Sequence, residues 1–322
     1  MSHVTTKRIL THARTNRYAV PCWLAGNMEM IVGQLKAAEL CGSPVILAYN
    51  QGLSGKLPMD LIIPFMVRAS ERASVPVATI FDHGTDIEAI GKSLVLGLRS
   101  VMFDGSSLPY EENIRLTKEV VQMAKRFGAA VEAELGSVGG SAMELNAASD
   151  IVSCYTDPDM VVDFVSRTGI DQLAVSVGNA HGAYRGNPKI DFDLARDVFN
   201  RTEIPLVLHG GSGLTDQDYK KIIECGISKI NYYSVMGQAA VASLRETIEK
   251  SCARAVYHHV IDWGVDFFGD FSDYIYRLFG CAGRGAMIPG SEQKVSPLTV
   301  VTEIAYEAYL EIEKKSKAEV SA

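Results

Sequence analysis

Three histidines stand beside glycine at the ends of short apolar runs: His83 in FDHGTD, His181 in VGNAHG and His209 in LVLHGGSG. A single histidine in such a place is more often a satisfied core residue. Three in equivalent positions point to a metal. Imidazoles suit zinc, and three of them leave a coordination position for water or substrate. Carboxylates occupy similar positions. Asp82 adjoins His83, Asp104 ends SVMFD, and Glu132 and Glu134 lie two apart in AVEAEL. In a strand those two glutamates share one face. Turned into a core, they require a metal, a partner or a substrate to offset their desolvation. For Glu132 a salt bridge competes evenly with a metal role; for Glu134 the metal role is favoured. A third signal is glycine-rich: HGGSG at 209–213, followed by NYYS at 231–234. Gly210 and Gly211 let backbone N–H groups approach an anion, and Ser212 and Ser234 add hydroxyls. Neither GxGxxG nor GxxxxGK[ST] occurs, so neither a dinucleotide nor a nucleoside triphosphate is indicated.

Such residues act together only if the fold gathers them. Apolar β-rich runs at 18–24, 44–50, 75–82, 100–104, 130–135, 172–178, 204–210 and 228–233 alternate with amphipathic segments. Gly97, Gly128, Gly169 and Gly226 mark the returns from helix to strand. This alternation predicts an α/β protein with a parallel sheet, and eight strands predict a closed (β/α)8 TIM barrel. The expected organisation is a single domain over 1–322 with a helical extension from about residue 240. In such a barrel the C-terminal strand ends open into one mouth, and phosphate commonly sits after strands seven and eight. His3 and His12 are expected in the first helix, away from the site. The aromatic stretch WGVDFFGDFSDYIYRLFG has no evident place.

The 322 residues are 47% hydrophobic and 21% charged, enough for one large core. A net charge of −7 without a basic cluster argues against nucleic acid. Six cysteines without CxxC spacing, no signal-peptide core and no bilayer-length apolar run predict a cytoplasmic protein with free thiols and no membrane partner.

At this point the chain resembles the class II, metal-dependent ketose-bisphosphate aldolases, the fructose- and tagatose-bisphosphate aldolase family. The matching stretches are FDHGTDIEAIGKSLVLGLRSVMFDGSSLPYEENIRLTKEVV, VEAELGSVGG, AVSVGNAHGAY, PLVLHGGSG and ISKIN. They run in order from about residue 18 to 235, with an echo at RLFGCAGRG, 277–285. The resemblance implies reversible retro-aldol cleavage of a phosphorylated ketose to dihydroxyacetone phosphate and an aldehyde. It implies a catalytic zinc on His83, His181 and His209, with Asp104 and Glu134 at positions linked to alternative or second metal binding. Asp82 matches the carboxylate that handles the proton of the reacting hydroxyl. Gly182, Gly210 and Ser212 match contacts to the C1 phosphate, Asn231 the asparagine that holds the dihydroxyacetone phosphate portion, and Ser234 a phosphate-loop hydroxyl. A monovalent cation, Na+ or K+, near that loop and a homodimer or homotetramer are also implied.

Departures from the family pattern cluster where substrate should sit. The GGxE loop reads GGSA, so Ala142 stands where a glutamate base is usual, and Glu144 is the candidate replacement. Leu24 replaces the asparagine of AFN, Asn50 the usual serine, and Gly84 the usual Ala or Cys. Tyr232 and Tyr233 crowd the phosphate loop. Arg185 and Arg284 are the candidate cations for a distal group. These changes predict a substrate other than fructose 1,6-bisphosphate. The competing readings are an epimerase or isomerase on the same scaffold, and a non-catalytic sugar-phosphate-binding subunit.

Overall fold

The computed structural model describes residues 2–139, 154–182, 189–251 and 256–290. Its strands are β1 (His3–Val4), β2 (Val20–Leu24), β3 (Val45–Asn50), β4 (Val77–Gly84), β5 (Ser100–Phe103), β6 (Ala130–Leu135), β7 (Gln172–Val175), β8 (Leu206–Leu208) and β9 (Ile227–Tyr232). All pairings between them are parallel, and β2 through β9 close into an eight-stranded ring through the β9–β2 and β4–β5 pairs. This is the TIM barrel expected from the alternation. The strands read as nearly unbroken apolar runs because helices cover the outer face while side chains fill the inner one.

The helices are α1 (Thr6–Thr15), α2 (Met28–Cys41), α3 (Met59–Arg72), α4 (Ile87–Val95), α5 (Tyr110–Arg126), α6 (Pro158–Thr168), α7 (Phe192–Asn200), α8 (Asp216–Glu224), α9 (Ser234–Lys250) and α10 (Tyr257–Leu278). Their ends follow local chemistry. In α6 the Asp157 side chain accepts from the Asp159 N–H, Pro158 opens the first turn, and Gly169 closes the helix in the left-handed region. Gly97, Gly128 and Gly226 also have positive φ. Among the described residues no helix is long and apolar enough to cross a membrane.

Two placements differ from expectation. His3 lies in β1 rather than in the first helix. β5 pairs with β4 only from Ile80 onward, leaving one side of Val77 and Ala78 open; β1 pairs there, His3 with Val77 and Val4 with Ala78. The His3 ring also hydrogen-bonds Thr79 Oγ1 at 2.8 Å. Arg284, a candidate cation for the substrate, lies at the opposite end of the barrel from the strand C-termini. Gly283 and Gly285 donate to the carbonyls of Cys41 and Gly42, where α2 hands over to β3, and the Arg284 guanidinium packs over Tyr18 just before β2.

The unplaced aromatic stretch belongs to α10, which lies on α2. A side chain at Gly33 would come within 2.4 Å of the Val265 carbonyl oxygen, so glycine sets this close approach. Trp23 Nε1 donates to the Tyr276 hydroxyl at 3.0 Å, and that hydroxyl donates to the Gln34 carbonyl at 3.0 Å. The pair fastens α10 over the outside of β2.

Candidate active site

The strand ends open into a pocket. Its walls include Leu24, Asn50, Asp82, His83, His181, Gly182, Gly210, Ser212, Asn231, Tyr232, Tyr233 and Ser234. Consecutive strand residues normally face opposite ways, yet Asp82 and His83 both line it. The reason is a break in the β4–β5 register between Phe81 and Gly84, with His83 in the left-handed region at φ 51°. A non-glycine residue seldom adopts that conformation. Here it turns two successive functional groups into one mouth.

His83, His181 and His209 each offer a ring nitrogen within a cluster no more than 4.8 Å across. The Nδ1 of His83 meets Asp104 Oδ2 at 3.0 Å, and the Nε2 of His209 meets Glu132 Oε1 at 2.7 Å. With those nitrogens occupied, His83 Nε2 and His209 Nδ1 face each other at 3.0 Å. Nitrogen lone pairs converging in a buried place are what a divalent cation requires. Two further polar atoms at the same end, Glu134 Oε2 and Asn231 Oδ1, are buried without a hydrogen-bond partner. His83, Asp104 and Glu134 form a second set of donors within the same span. The donor chemistry therefore fits a metal, and the three histidines offer one ring nitrogen each to such an ion.

The electrostatics of two of the three rings point the same way. Burial, then the neighbouring His83, holds His209 below the usual imidazole range, and burial, then His83 and His209, holds His181 well below it. Both rings are thus neutral and able to donate a lone pair. Burial opposes charge on His83 too, but Asp82, Asp104 and Glu134 around it raise it to about 9. Burial and the Asp104 charge push Glu134 up to about 8. A cation in the cluster would relieve that crowding of acids.

Asp82 is buried and held from both sides. Asn50 Nδ2 donates to one oxygen at 3.3 Å and Asn231 Nδ2 to the other at 3.0 Å. Burial alone would raise this acid, yet His83, Lys229 and the Asn231 hydrogen bond bring it down to about 2. It is a carboxylate throughout the neutral range, aimed into the pocket. Asn50, a departure from the family pattern, thus supports Asp82.

The glycine-rich loop after β8 and the turn into α9 adjoin this cluster. Ser212 Oγ accepts from the Tyr233 N–H at 2.9 Å, and Ser234 opens the 17-residue helix α9. Gly182 and Gly210 take positive φ, and a side chain at Gly210 would fall 2.3 Å from the Ala180 carbonyl oxygen. Glycine here lets the loop carrying His181 lie against the loop carrying His209. Gly211 makes room for Ile230, whose Cγ2 would be 2.4 Å from an added Cβ, and its carbonyl accepts from Tyr219 at 2.6 Å. Ala142, Glu144 and Arg185 lie outside the described residues.

Beneath the mouth is a buried polar chain of which only Glu132 stood out in the sequence. Lys229 Nζ donates to both Glu132 oxygens at 2.9 and 2.8 Å, and Gln172 Nε2 donates to Oε2 at 2.7 Å. Glu132 and Lys229 have no exposed side-chain surface. Breaking such a pair from one side typically costs about 3–5 kcal/mol, because it strands a buried charge.

A closed parallel barrel with three imidazoles and a glycine-rich loop at its mouth is the architecture of a barrel enzyme with a candidate metal site. Residues 4–284 match the family described as class-II fructose-bisphosphate aldolase. The D-tagatose-1,6-bisphosphate aldolase subunit GatY of Klebsiella oxytoca is 34% identical over 87% of this chain and 99% of its own. A probable fructose-bisphosphate aldolase of Bacillus subtilis (strain 168) is 38% identical over 77% of this chain and 87% of its own. The crystal structure of the YdjI aldolase from Escherichia coli K12 superposes with a TM-score of 0.76 at 34% identity, covering 88% of this chain and 99% of that one. The chain belongs to the class II aldolase family and is a carbon–carbon lyase. The family is zinc-dependent and acts on phosphorylated sugars.

Proposed function

We propose that this enzyme reversibly cleaves a phosphorylated ketose other than fructose 1,6-bisphosphate into dihydroxyacetone phosphate and an aldehyde, using zinc held by His83, His181 and His209. The observation that carries this reading is the convergence of three imidazoles next to Asp82 and an anion loop. Bound there, zinc supplies Lewis-acid polarisation of the substrate's ketone oxygen. Asp82 takes the proton of the C4 hydroxyl as the C3–C4 bond breaks, and returns it in the condensation direction. Its ionised state and its two amide donors fit it for that task. Asn231 holds the dihydroxyacetone phosphate portion, while Gly182, Gly210, Ser212 and Ser234 receive the phosphate, so the reacting atoms are placed before bond cleavage. Asp104 orients His83, and Glu134 stands ready as an alternative ligand. Glu144 replaces the base missing at Ala142, and Arg185 meets the distal group. Na+ or K+ near the phosphate loop, a homodimer or homotetramer, and a cytoplasmic location complete the proposal.

The support for an altered substrate is the wall itself. Leu24, Asn50, Tyr232 and Tyr233 line the pocket, and none of its described lining residues is Lys or Arg. A second phosphate would need a cation or a dedicated set of donors. Assaying the zinc-loaded enzyme against ketose mono- and bisphosphates should give the highest kcat/KM with a ketose phosphate other than fructose 1,6-bisphosphate, and two carbonyl fragments as products. Highest activity on fructose 1,6-bisphosphate would end the altered-substrate reading. Isomerised ketose without fragments would favour the epimerase or isomerase.

A further inference from the structure

The barrel interior normally fills with apolar side chains, but here a polar chain runs down its axis from the metal cluster to the N-terminal segment. His209 Nε2 meets Glu132 Oε1 at 2.7 Å; Glu132 receives Lys229 and Gln172; Gln172 Oε1 accepts the Thr6 hydroxyl at 2.7 Å; and the Thr6 N–H donates to Ser100 Oγ at 2.9 Å. His209, Glu132, Lys229, Gln172, Thr6 and Ser100 are all fully buried. We propose that Glu132, held ionised by Lys229 and Gln172, is a positioning residue that sets the tautomer and angle of His209 so that Nδ1 faces the metal site.

The argument rests on donor and acceptor inventory. Lys229 and the Gln172 amide nitrogen can only donate, so Glu132 meets them as a carboxylate with acceptor sites alone. The one remaining partner, His209 Nε2, must therefore carry hydrogen. Its Nδ1 is then the lone pair, 3.0 Å from His83 Nε2 and 3.1 Å from Asn231 Nδ2, an amide nitrogen that can only donate and so agrees with this tautomer. Lys229 is essential because a buried carboxylate without a cation would not remain an acceptor. Gln172 and Thr6 tie the arrangement to the far end of the barrel, so the imidazole cannot tilt without disturbing a packed interior. The metal role of His209 belongs to the reading above, and this inference rests on it.

Two double variants separate positioning from a merely structural ion pair. E132Q/K229M and E132M/K229M both remove the two charges together, so neither strands one. The glutamine keeps an oxygen for His209 Nε2–H; its NH2 is accommodated by turning the Gln172 amide, with the Thr6 hydroxyl reversing its bond. The methionine offers no such acceptor. Each protein is freed of metal, its thermal unfolding is recorded, and its zinc Kd is measured by competition with a chromophoric chelator. With similar unfolding temperatures, E132Q/K229M should bind zinc much as the unaltered enzyme does. E132M/K229M should bind about 10- to 100-fold more weakly, as expected when the partner of a ligating histidine is lost. Equal zinc affinity in two equally stable variants would overturn the proposal. Should either variant fail to fold, ¹⁵N-histidine NMR of the metal-free enzyme decides. Hydrogen on His209 Nε2 with bare Nδ1 is expected, and the reverse tautomer overturns the proposal. Failure of the unaltered enzyme to bind zinc would instead sink the metal reading itself.

Discussion

His209→Ala should lose zinc and nearly all turnover while the protein remains folded. Three nitrogen donors meet in the cluster, and His209 is held at both nitrogens, Nε2 by Glu132 and Nδ1 by Asn231, with His83 facing Nδ1. Removing it leaves two imidazoles and weakens the site that supplies several kcal/mol of charge stabilisation in the transition state. At about 1.4 kcal/mol per factor of ten, kcat/KM should fall by roughly 10³-fold or more. Glu132 keeps Lys229 and Gln172 as partners, so its charge stays compensated and the barrel should survive the substitution. Zinc content by elemental analysis, circular dichroism and product formation check the three parts. A folded variant retaining zinc and a tenth of the activity would contradict the assignment. A non-catalytic subunit would show no turnover of its own before or after the change.

Asp82→Asn should separate proton transfer from metal binding. The substitution preserves shape but removes the acceptor charge. Loss of a positioned general base typically costs about 10²–10⁴-fold, and the effect should fall on kcat with little change in KM. Zinc should stay, because the three imidazoles are intact. Asp82 is held at about 2, so it is ionised at every pH where the enzyme works, and the acid limb of the rate profile should belong to another group. Steady-state kinetics beside zinc analysis test this directly. A variant that lost zinc in parallel with activity would make Asp82 a metal-site residue instead of the base.

The parts of this molecule visible in its sequence are those whose signals are local. Apolar runs separated by amphipathic segments announced the strands, and glycine at 97, 128, 169 and 226 announced the helix ends, because a left-handed backbone there favours a residue without Cβ. The three histidines were legible because each stood at the end of a predicted strand or just beyond it, and a parallel barrel brings all such ends together. What escaped depends on pairing at a distance. Lys229 contacts Glu132 across 97 residues and Thr6 contacts Gln172 across 166; each alone looks like an ordinary polar side chain. β1 is two residues long and exists only because β5 starts late against β4. The bulge that turns Asp82 and His83 into the same mouth leaves no mark in FDHGTD beyond the glycine after the histidine. The place of the aromatic stretch in α10 depends on α2, against which Gly264 and Gly269 lie with Gly33 at the contact. Arg284 was misplaced because charge alone says nothing about which end of a barrel it reaches.

Anomalous X-ray scattering at the zinc edge, from crystals of the zinc-loaded enzyme, tests the metal centre without reference to any substrate. It should show a peak within about 2.0–2.1 Å of nitrogens from His83, His181 and His209, with Nδ1 as the donor from His209. A peak elsewhere, or none at full zinc loading, would contradict the account.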